Sequence, residues 1–98
     1  MNKLLIVATA LALTLSPAVA ATPPTAEQKA EFLSQCLKNS DGNTTLCTCK
    51  AEQAMKLIDT DFMKIVLATM KGGALPLNQS KSYGIYVSKS NAVCAPGM

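Results

Sequence analysis

Four cysteines in a chain of 98 residues, Cys36, Cys47, Cys49 and Cys94, limit what this sequence can fold into more than any other feature. Their chemistry depends on the compartment in which the chain works. Residues 1–20 read as an export signal: Lys3 gives the positive start, Leu4 to Leu15 an apolar run broken only by Thr9 and Thr14, and Ser16-Pro17 its end. Ala18-Val19-Ala20 places small residues where a signal peptidase reads them, so cleavage is expected before Ala21. The run falls short of the about 20 residues that span a bilayer, and no later stretch approaches that length. No transmembrane segment is therefore expected after cleavage. The compact signal is bacterial in style, which implies the periplasm or the medium. In such an oxidising compartment an even number of cysteines in a small chain means two disulfides.

Size makes those bridges necessary. The 78 residues from Ala21 onward form one domain at most and lie at the edge of what an unbridged core can hold together. Closing a loop of about 15 residues contributes roughly 3 kcal/mol in the chain-entropy description, and longer loops contribute more.

Composition removes whole classes of function. Without histidine there is no Ser-His-Asp or Cys-His nucleophile system, no imidazole metal ligand and no side chain that ordinarily titrates near neutrality. From Ala21 onward eight lysines face six carboxylates, a net of +2, with no arginine. Those lysines are dispersed and aromatics are few, whereas nucleic-acid sites cluster cations with stacking rings. No nucleic-acid partner is expected.

Periodicity predicts an all-α domain of three or four helices. Ala21-Thr22-Pro23-Pro24 is an extended leader. Thr25 and Gln28 form a capping box for a helix over 26–38, whose stripe is Ala26, Ala30, Leu33 and Leu37, widened by Phe32 and Cys36. Residues 39–43, Asn-Ser-Asp-Gly-Asn, mark a turn. Thr44 caps a second helix over 45–58 with Cys47, Ala51, Ala54, Met55 and Ile58 on one face and an exposed Glu52–Lys56 pair. Asp59 or Thr60 opens a third helix over 60–71, with Phe62, Met63, Val66, Leu67 and Met70 inward and Gly72-Gly73 as a left-handed stop. Asn78 caps a fourth segment over 79–91, where Tyr83, Tyr86, Val87 and Ser90 match helical spacing. Tyr83, Ile85 and Val87 also alternate as a strand would, and Gly84 disfavours helix by about 1 kcal/mol; helix is preferred because no second strand exists to pair with. The tail from Asn91 is read as irregular, tied down by Cys94.

On a helix Cys47 and Cys49 lie about 200° apart, so they cannot bridge each other. Cys36, in the last turn of the first helix, can reach either. The preferred pairing is Cys36–Cys49 with Cys47–Cys94, because Cys47 faces the core where a returning tail would pack. A competing use of the same residues is a thiol-based copper or redox carrier built on Cys47 and Cys49 with Cys36. Met55, Met63 and Met70 would add soft ligands, although these methionines fall on apolar stripes where they fill core. Lys50 and the helix start activate a thiol only weakly.

Other signals are bland. Asn39-x-Asp41-x-Asn43-x-Thr45 resembles the start of a calcium loop, but Thr44 replaces the required glycine and Lys50 the closing carboxylate. Asn43-Thr44-Thr45 and Asn78-Gln79-Ser80 are glycosylation sequons that double as turn and cap residues. Glu27, Glu31, Asp41, Glu52, Asp59 and Asp61 fall at caps, turns or polar faces, which leaves a carboxylate hydrolase as the weakest reading. Tyr83 and Tyr86 are core residues or anchors of an interaction patch. The expectation is an exported, non-enzymatic binding protein without cofactor, an inhibitor, immunity-type factor or envelope accessory subunit, whose partner is another exported or envelope protein.

Overall fold

The structure, a computed structural model, describes residues 21–96; the expected export signal, residues 1–20, lies outside them. Four α-helices account for about three quarters of the described residues, which contain no strand. They are α1 (Ala26–Asn39), α2 (Thr44–Leu57), α3 (Thr60–Met70) and α4 (Ser80–Cys94). None is long and apolar enough to cross a membrane.

Local chemistry sets each boundary. Thr25 and Gln28 close the capping box at α1: the Gln28 N–H donates to Thr25 Oγ1 at 3.0 Å, and the Thr25 N–H to Gln28 Oε1 at 2.9 Å. At its other end Asp41 takes a left-handed φ of 55°, and the Gly42 N–H reaches back to the Leu37 carbonyl at 2.8 Å. The cap of α2 is Asn43 rather than Thr44, because Asn43 Oδ1 accepts from the Leu46 N–H at 3.1 Å while Thr44 is already helical. Asp59 caps α3 by accepting from the Phe62 N–H at 2.8 Å. Gly72, at φ 96°, ends α3 with paired bonds: its own N–H to Thr69 and that of Gly73 to Ala68.

The fourth segment departs from expectation at both ends. Residues 77–79 form a single 3₁₀ turn, and no side chain, Asn78 included, caps α4. The helix then runs three residues past Asn91, to Cys94. Nothing in Ser88–Cys94 breaks a helix; the first breaker is Pro96, which pushes Ala95 out of helical conformation to φ −141° and ψ 54°. Gly84 sits in the helix with open space around it.

Helix α1 packs on α2 and α3, and α2 packs on α4. The shared core is Phe32, Ala51, Ala54, Met63, Val66, Leu67 and Tyr86, flanked by Leu33, Cys36, Ile58, Phe62, Met70, Tyr83 and Val87. On α1 the buried line is Phe32 with Leu33 and Cys36, whereas Ala26 and Ala30 are exposed. A phenyl ring removes far more apolar area from water than two methyl groups, so it sets how the helix is turned. The leader is docked as well. Pro24 is buried, the Thr60 N–H donates to the Thr22 carbonyl at 2.9 Å, and Gln28 Nε2 donates to the Thr60 carbonyl at 3.0 Å.

Disulfides join Cys36 to Cys47 and Cys49 to Cys94, each with Cα atoms 5.6 Å apart. This corrects the pairing preferred from sequence, Cys36–Cys49 with Cys47–Cys94. The reason is the position of α4. Its Tyr86 packs into the core, but its C-terminal end, which bears Cys94, meets α2 on the side where Cys49 points. Cys47, fully buried, faces α1 and meets Cys36. The angular separation of the two cysteines is thus used to tie α2 to a different helix on each side.

Candidate functional site

The residues singled out for chemistry are taken up by the scaffold. Cys47 and Cys49 enter separate bridges and no described cysteine is free, so the set Cys36, Cys47 and Cys49 does not converge on one point. Met63 is fully buried and Met70 packs against the core. Tyr83 and Tyr86 meet edge to face, ring centroids 6.3 Å apart. Tyr86 is buried, and burial, with Tyr83 beside it, pushes its hydroxyl up to about 12. Tyr83 is half-buried along a depression of ≈ 200 Å³ shared with Phe32, Cys36, Lys50 and Met70. Tyr86 is therefore a core residue and offers no exposed anchor.

Three of the six carboxylates pair with lysines. Glu52 binds Lys29 at 2.6 Å across the α1–α2 hairpin, Glu31 pairs with Lys71, and Asp61 approaches Lys64 at 3.8 Å. The Lys29 hydrogen bond and charge hold the Glu52 carboxyl below its usual value. The expected Glu52–Lys56 pair does not form, because the interhelical lysine is the nearer partner. Lys50 is half-buried beside α4, donating to Ser90 Oγ at 3.3 Å and to Asn91 Oδ1; desolvation lowers its pKa. Ser90 is fully buried, and its hydroxyl donates in turn to the Val87 carbonyl at 3.1 Å. That burial keeps it from acting as a nucleophile toward a substrate.

What remains open is a groove of ≈ 500 Å³ with mixed apolar and polar lining where the end of α2 turns into α3, with α4 as the far wall. Met55, Leu57, Ile58 and Phe62 form one side, and Ile85 and Tyr86 the other; Ala21 and Pro23 contribute from the leader. Leu57 and Ile85 are 36% and 47% exposed, and Val93, further along the outer face of α4, is 56% exposed. Lys56 and Lys89 stand at the groove, and neither forms an ion pair among the described residues. Its one carboxylate, Asp59, is bonded to the α3 N-terminus, whose dipole partly offsets it.

The sequence pattern assigned no binding role to Lys56, Leu57, Ile85, Lys89 or Val93. Two signals were present. Lys81, Ile85 and Lys89 recur at four-residue spacing, a helical line flanking the buried Tyr86, and no aspartate or glutamate occurs from Phe62 to the end of the chain. Among the described residues, no group of three Cys, Asp or Glu side chains is arranged to hold a metal ion. No protein-family model matches the chain, and neither the curated proteins nor the solved structures yield a match.

Proposed function

We propose that this chain is a small exported, non-enzymatic binding protein that receives a segment of another exported or envelope protein in the groove between the α2–α3 corner and α4. The observation that carries this reading is the exposure of Leu57 and Ile85 in the lining of an open groove, on a scaffold fixed by two bridges. Isolated surface apolar residues are ordinary, but a concave cluster marks a recognition surface. Rigidity supports the same reading, because a site that is already ordered loses less entropy on binding.

The thiol carrier draws no support from the geometry: its sulfurs are divided between bridges on opposite flanks of α2. Two readouts on the exported protein test the proposal. A photoreactive side chain at position 85 should give a discrete protein adduct, while one at Ser34, exposed on α1, should not. Thiol counting without reductant should find none. Equal labelling from both positions overturns the docking reading, and two or more free thiols with bound copper favour the carrier.

A further inference from the structure

We infer that the occupant of this groove is an acidic, apolar protein segment, in which carboxylates flank the side chains that insert. The inference rests on the docking reading and adds the chemistry of the partner. Every carboxylate side chain of the domain lies between Glu27 and Asp61. Three of them neutralise Lys29, Lys64 and Lys71 on or near the α1–α2–α3 side. Beyond Asp61 the charged side chains are all cations, so α4 carries Lys81 and Lys89, the latter in the groove wall, and nothing of opposite sign.

Glu52 could have neutralised the groove by pairing with Lys56 one turn away, but it binds Lys29 instead. Lys56 and Lys89 therefore stand at the groove outside any salt bridge among the described residues, next to exposed Leu57 and Ile85. Two ammonium groups beside apolar surface, faced in the groove only by the capping carboxylate of Asp59, are complementary to a carboxylate delivered by whatever covers that surface.

Other occupants fit less well. A second copy would bring the same face against itself and set Lys56 and Lys89 near their own equivalents, which costs energy. An anionic lipid surface would satisfy the lysines, but a flat surface cannot fill a groove walled by Phe62 on one side and Ile85 on the other. A segment with a protruding apolar residue can.

The test uses amphipathic peptides that share one leucine face and carry glutamate, glutamine or lysine at every polar position. They are titrated against the processed, oxidised protein by fluorescence anisotropy. The glutamate peptide should bind at least tenfold more tightly than the glutamine peptide, and the lysine peptide should not bind. Raising salt should narrow that difference. K56E/K89E, with both positions at the surface, should lose about tenfold or more toward the glutamate peptide while keeping the wild-type circular dichroism. Equal binding of all three peptides overturns the acidic partner but leaves the groove reading standing. Absence of binding by any peptide overturns the inference, and if position 85 also fails to cross-link, the docking reading falls with it. Binding to phosphatidylglycerol vesicles without peptide binding, or dimerisation in sedimentation, overturns it in favour of lipid or a second copy.

Discussion

At the scale of single residues, two side chains link parts of the molecule that the sequence separates. Gln28 returns the cap of α1 and also reaches Thr60 twice: Nε2 donates to its carbonyl at 3.0 Å, and Oε1 accepts from its hydroxyl at 2.9 Å. Gln28→Ala should therefore cost about 2 kcal/mol, more than a cap alone, measured as a shift of the urea midpoint at unchanged slope. Tyr86 makes alkaline pH a probe of core packing. Its hydroxyl ionises near 10 when unfolded and at about 12 when folded. As pH rises between those values the unfolded chain releases the proton first, so stability is full below pH 10 and falls toward 12. Wild type should lose about 1 kcal/mol relative to Tyr86→Phe by pH 11, read as diverging midpoints for two proteins that match at pH 8. A pair that stays parallel would mean the ring is not buried in solution.

At the scale of elements, legibility followed the density of local signals. The cap at Thr25, the turn around Gly42, Asp59 and the Gly72-Gly73 stop all rest on interactions within a few residues, and helices α1 to α3 were placed from them within one residue. Where a choice depended on a distant partner, local pattern gave the wrong answer or none. Phe32, not the alanine stripe, turns α1 toward the core because of what α2 and α3 present to it. Glu52 ignores Lys56 because Lys29 stands across the hairpin. For α4 the ambiguity was intrinsic: it lacks a capping side chain, carries Gly84 in its second turn and has β-branched residues in alternation. Its helicity therefore comes largely from packing on α2. Because a Cβ at Gly84 meets nothing within 4 Å, Gly84→Ala should stabilise the protein by about 0.5–1 kcal/mol, seen as a higher melting temperature. A lower one would show that the position is crowded or not helical.

At the scale of the whole molecule, the two bridges divide the work unequally. Cys36–Cys47 spans 11 residues and closes a hairpin already held by caps and core contacts; Cys49–Cys94 spans 45 and is the covalent tie on α4. Chain entropy alone assigns about 3 kcal/mol to the first and about 4 kcal/mol to the second, together comparable to the whole stability of an ordinary small domain. The loss of the second should be the more damaging, because α4 has a poor N-terminus and supplies Tyr86 and one wall of the groove. Serine pairs separate these effects and check the connectivity. C36S/C47S should keep no free thiol and remain helical with a lowered melting temperature. C49S/C94S should also keep no free thiol, yet lose the far wall of the groove and any binding that depends on Ile85. In C36S/C49S the remaining Cys47 and Cys94 project to opposite flanks of α2, so two free thiols should persist under air. If instead that variant oxidised fully while C36S/C47S kept two thiols, the Cys94 end of α4 would have to lie beside Cys47, on the other side of α2. The groove built from its outer surface would then not exist.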